Sequence, residues 1–369
     1  MKRSVIFAFT AIICAPILPP RSALGVTPPP DGGYFGGNTA EGTDSLFSLT
    51  SGVKNTAIGF EALHDNSGGD LNTAIGHHAL RNNTFGGNNT AIGAHALTDN
   101  ISSNNTAVGG GALSSNTSGD HNTAVGSSAL QFNSTGGANT AVGHGALSGA
   151  QTIVGSSGNG NTAMGWGAMF NNFTGNNNTS AGISALGNNG EGNNNTATGA
   201  YALSYNDGSN NTATGNFSLL FNTTGNFNTA MGDNALGNND TGSYNIALGA
   251  SAGSNLTTGS YNIHIGNTGV AGEGSTIRIG DQNQTATFIA GIYGTSTDSS
   301  FLPVVINALG QLGVGSSDGV PQGTIITVAP GNPVPAGYTL LGTLMEEIRY
   351  KDKNGRPSKI KGAKLYQKN

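Results

Sequence analysis

The sequence predicts an all-β protein in which residues 38–280 form a parallel β-roll, a β-solenoid of about fourteen 17-residue coils. Three observations predict it. The chain carries 61 glycines in 369 residues and only 9% charged residues, a composition that builds neither a leucine-rich globular core nor a charged disordered tail. One unit, N-T-A-[I/V]-G-x-x-A-L-x-x-N-x-x-G-x-x, recurs from Asn38 to Asn262. Within it, Thr56-Ala57-Ile58-Gly59 alternates large and small residues, as a short strand does.

The elements follow in chain order. Residues 1–25 read as a signal peptide: Lys2 and Arg3 precede an apolar run from Ser4 to Leu18, and Ala23-Leu24-Gly25 offers small residues for cleavage before Val26. Cys14, the one cysteine, lies in that run, so the mature chain has neither disulfide nor thiol chemistry. Residues 26–37 are a leader rich in proline and glycine. The array then begins, with starting asparagines at 38, 55, 72, 89, 105, 122, 139, 161, 178, 195, 211, 228, 245 and 262. Its fifth position is glycine in all fourteen units, and its ninth is Leu or Met in twelve, failing at Gly253 and Val270. Seventeen residues are too few for a helix pair, and fixed glycines with β-branched residues oppose helix. A coil is therefore expected to hold one strand at Thr56–Gly59 and a second around Ala62-Leu63, with a turn at Asn66-Ser67-Gly68-Gly69. No coil can bury its apolar face alone, so neighbours must supply the core. The recurrent asparagines should stack as amide ladders that satisfy turn backbone groups. Between Asn139 and Asn161 the spacing is 22 residues, and the five extra residues, within 148–160, should bulge while the register resumes.

The repeat N-T-A-[I/V]-G followed by A-L resembles the head repeat of YadA-type trimeric autotransporter adhesins over about 240 residues. That resemblance implies left-handed coils, three chains wound side by side as a homotrimer, and binding to host or matrix surfaces. Position three is Ala in twelve units, and its Ala/Gly face and the Thr/Ile face are the two candidate packing surfaces. An apolar, uncharged strip left outside would be an interface, and alanines such as Ala74, Ala91 and Ala107 would allow close approach of chains. The family's other parts are not visible: no apolar heptads follow residue 280, and the final residues do not read as outer-membrane strands. No self-encoded membrane anchor is expected after signal cleavage.

After Asn262 the units shorten, with Ile277-Arg278-Ile279-Gly280 and Phe288-Ile289-Ala290-Gly291, so residues 281–320 are expected to cap the array. Pro303 to Val314 reads as a hairpin. Residues 321–369 form a basic C-terminal β module or solvated tail, with eight of fourteen Lys/Arg between Arg349 and Lys368 and strands expected within Tyr338–Tyr350. An acidic surface polymer would suit that charge.

Motifs for phosphate, calcium, thiolate-zinc or metalloprotease chemistry are absent from the sequence, so no cofactor or catalytic residue is expected. The 196 residues between Arg81 and Arg278 lack Lys and Arg, which argues against nucleic acid as a partner. Two kinds of column remain. Aromatics repeat at fixed positions: Tyr201 and Phe217 at seven, Tyr205 and Phe221 at eleven, and Phe227, Tyr244 and Tyr261 at seventeen. They are the candidate binding residues, for sugars or other surfaces, although ladders that lock coil register explain them equally. His78 and His95 share position seven of adjacent coils, a pair compatible with copper or zinc but also with chance coincidence of surface histidines.

The expected function is that of a secreted or cell-surface adhesin-like protein, without catalysis, binding extracellular matrix, glycan or a cell-surface ligand. A structural spacer or surface-layer component is the alternative. Ice binding is a minor one, since only Thr196/Thr198 and Thr212/Thr214 supply the paired threonines it needs.

Overall fold

A computed structural model describes residues 34–149 and 157–285, together with strands between residues 304 and 368. The expected signal peptide, leader residues 26–33, residues 150–156 of the expected bulge and most of the capping segment lie outside the described residues. The chain divides after Gln284 into two units.

In the first unit the alternating tetrapeptides form fifteen strands of three residues each. They run from β1 (Thr39–Glu41) and β2 (Thr56–Ile58) to β14 (Ile263–Ile265) and β15 (Ile277–Ile279). All fifteen pair in parallel and in sequence order within one sheet, so each coil stacks on the next. Register follows the repeat, with Thr56 opposite Thr73 and Ala57 opposite Ala74. The 22-residue unit does not break it. Thr140 pairs with Thr162, and the Asn161 amide donates to Asn139 Oδ1 at 2.9 Å, so the array continues as one solenoid.

Alternation decides what lies inside. Position-three alanines are buried, and Leu63, Leu80, Leu97, Leu113 and Leu130 of position nine are fully so. Position four faces out. The Ala/Gly face is thus the coil interior, and alanines 74, 91 and 107 contact only their own core; they are not available to another chain. Ser180 replaces one of these alanines, and its buried hydroxyl has no partner among the described residues.

The second expected strand at Ala62-Leu63 is not there; that segment is a turn. Leu63 adopts φ 52°, in the left-handed region that non-glycine residues rarely occupy, and the other position-nine leucines do the same. That conformation costs roughly 1–2 kcal/mol per residue, an amount that burying a leucine side chain offsets with about 1.5–3 kcal/mol. The turn still bonds from coil to coil, with Leu63 N–H donating to Ala79 C=O at 3.0 Å. The glycine at position five has a steric cause. At Gly76 (φ 138°) a Cβ would stand 2.6 Å from the carbonyl oxygen of Gly93 in the next coil.

Two buried asparagine ladders run through the array. In the first, each position-one Oδ1 from Asn38 to Asn245 accepts the next coil's Asn amide, and Nδ2 donates to a turn carbonyl: Asn122 accepts from Asn139 at 3.0 Å and donates to Gly136 at 2.8 Å. In the second, position-twelve side chains bond one another on either side of the 22-residue unit, as Asn83 Nδ2 donates to Asn66 Oδ1 at 3.3 Å and Asn239 to Asn222 at 2.7 Å, and Asn133 Oδ1, before that unit, has no partner among the described residues. The same position holds leucine in the first and last full coils, at Leu49 and Leu256. Leucine closes the second ladder without leaving an amide unpaired there.

In the second unit, Val304–Ile306 pairs antiparallel with Leu312–Val314, the hairpin expected from the sequence. Lys364–Lys368 lies between Ile325–Val328 and Tyr338–Thr343, and Ile348–Lys351 pairs with Pro357–Ile360.

Candidate functional site

The aromatic columns form as expected. Tyr201 stacks on Phe217 with centroids 5.5 Å apart and planes 18° apart, and Tyr205 on Phe221 at 5.7 Å and 18°. Phe227, Tyr244 and Tyr261 stack at 4.9 Å per step and within 9° of parallel. All seven rings are exposed. A coil-to-coil stack turns ring planes across the rod axis, so the last ring of a column presents its face to the neighbouring coil.

Two of these columns border a cavity of about 390 Å³, lined by His144, Trp166, Phe170, Tyr201 and Tyr205 among others. Its origin is a size mismatch between three coils. The coil that starts at Asn161 supplies Trp166 and Phe170, and the coil from Asn195 supplies Tyr201 and Tyr205. The coil between them lines the cavity with Ser184, Gly187 and Asn188, from positions seven, ten and eleven, and holds the exposed Ile183 at position six. Large residues on both sides of a small one leave a slot whose walls are two coil spacings, roughly 9–10 Å, apart. Trp166 is backed by His144, stacked at 6.4 Å and 10°, as Tyr201 is backed by Phe217. The column reading missed Phe170, which has no aromatic at position ten of either adjacent coil, and the stacked pair of His144 and Trp166 at position six.

Elsewhere, the structure joins His77 to the expected pair His78 and His95, with one ring nitrogen from each lying within 4.8 Å of the others. Glu61 Oε2 sits 3.2 Å from His78 Nε2 and is also bonded by Arg81. The Arg81 hydrogen bond holds the Glu61 carboxyl below its usual range. Partial burial, followed by the repulsion of His77, holds His78 below the usual imidazole range, against the opposing pull of Glu61. Thr196 and Thr198 pair in register with Thr212 and Thr214, a patch two coils deep.

A third feature is the outer face of the sheet. Ile58, Ile75, Ile92, Val125, Val142 and Met164 form an exposed apolar strip along position four. Comparison with known proteins adds no relative: no family model, no curated protein and no solved structure matches this chain.

Proposed function

We propose that the array is a non-catalytic binding rod, exported to a bacterial surface or its surroundings, that holds saccharide through the slot between Trp166/Phe170 and Tyr201/Tyr205. The single observation carrying this reading is that slot: exposed aromatic rings on two sides, with Ser184, Gly187 and Asn188 between them. Apolar sugar faces stack on aromatic rings, and the residues between them supply hydroxyl and amide groups for hydrogen bonds. The N-T-A-[I/V]-G head-repeat resemblance to YadA-type adhesins supports the same class of function. It also supports a trimer, and the position-four strip offers the apolar surface that a trimer would cover.

A glycan and matrix-protein binding screen of the full chain tests the proposal. Binding to a saccharide class, weakened at least tenfold in the Tyr201→Ala/Tyr205→Ala double variant, is the expected result. Binding that survives that variant places the ligand elsewhere, and no binding at all favours the spacer.

A further inference from the structure

We infer that His77, His78 and His95 form a binding site for one late first-row divalent transition ion, Zn²⁺ or Cu²⁺, on the outer turns of two adjacent coils. The inference is independent of the saccharide slot. His77 and His78 are consecutive in the coil from Asn72, and His95 repeats the place of His78 one coil later. Both position-seven residues have φ near 58°, so the left-handed turn sends the two side chains from the same place on successive coils. Ring centroids lie 3.8 Å apart for His77 and His78, and 5.2 Å apart for each with His95.

Three imidazoles without thiolate select zinc, copper or nickel over calcium and magnesium. Around an ion at about 2.0–2.1 Å from each nitrogen, the donors would stand about 3.3 Å apart. The present separations, up to 4.8 Å, close by rotation of His77 and His95, both exposed. The third ring is already held. His78 Nε2 faces Glu61 Oε2 at 3.2 Å, an arrangement in which a carboxylate orients a ligand histidine and leaves its other nitrogen for the ion. Arg81 balances the charge of that carboxylate, and Phe60 packs against both His77 and His78 on one side. The exposed side stays open to water or to a further donor.

The test uses tag-free full-length chain, stripped with chelator and titrated with ZnCl₂, then with CuCl₂, by isothermal titration calorimetry. One ion per chain is expected, with His77→Ala and His95→Ala each weakening binding at least tenfold and Glu61→Gln roughly tenfold. His121→Ala, remote from the cluster, should leave the isotherm unchanged. Thermal melts without metal confirm that each variant folds; because His77 and His95 are surface residues, their variants give a readout even if His78→Ala does not fold. Absence of a saturable one-ion isotherm would overturn the inference. So would an isotherm indifferent to His95→Ala, since stacking between coils would then be all the cluster does.

Discussion

Gly253 and His264 exchange volume: a Cβ on Gly253 would lie 3.2 Å from His264 Nδ1 and 2.8 Å from Leu236 Cδ2. Most coils place leucine at position nine, where Gly253 stands, and alanine at position three, where His264 stands. Here the small residue and the large one have swapped, and Gly253 keeps the left-handed backbone (φ 64°) of the leucine column. Gly253→Leu should therefore destabilise the array's end by about 1–3 kcal/mol through overpacking. Combined with His264→Ala it restores the repeat's own pattern, and the double variant should be closer to wild type than the sum of the two single changes. Denaturant melts of the four chains check this.

Removing a ladder amide should be worse than removing a leucine contact at the surface. Asn122→Ala leaves the Asn139 N–H buried without its partner, while the Gly136 carbonyl keeps its second donor, Asn133 Nδ2. An orphaned buried group of this kind costs about 1–3 kcal/mol, and a loss of that size is expected in equilibrium unfolding.

The end of the array should be sensitive to acid. Burial pushes the Glu273 carboxyl up, but hydrogen bonds from His264, the Val270 N–H and Arg278 outweigh it and leave the group below its usual range. A depressed folded value means the contribution is present above the unfolded value of about 4.5 and lost as pH falls through the folded one. Glu273→Gln should accordingly lower the melting temperature at neutral pH and flatten its decline below pH 4.5. Parallel slopes for the two chains would contradict the assignment.

Assembly should depend on position four and not on position three. Light scattering is expected to give about three times the chain mass, and Ile75→Lys with Ile92→Lys should reduce it while leaving the fold intact. Ala74→Lys, by contrast, places a charge inside the coil and should unfold it.

Much of this architecture was legible because the repeat repeats its physics. Glycine at position five and alanine at position three mark places where a larger group meets the next coil, and Leu63, Leu80 and Leu97 mark the interior. The turn at Ala62-Leu63 was not legible, since leucine in a left-handed conformation contradicts its own local preference and is held there by burial. The slot was half legible. Tyr201 and Tyr205 sit in columns, but Trp166 and Phe170 meet them only across Ser184, Gly187 and Asn188 of the intervening coil, a relation between different positions that no single column reveals. His77 was missed likewise, lying one position beside the column of His78 and His95.

The slot itself offers the most direct measurement, because Trp166 is the chain's one tryptophan and lines its wall. Titration of the full chain with the saccharide found by screening should change Trp166 fluorescence saturably, and Tyr201→Ala/Tyr205→Ala should shift the midpoint at least tenfold. Saccharide binding that leaves Trp166 emission unchanged at saturation would contradict the slot as the binding site.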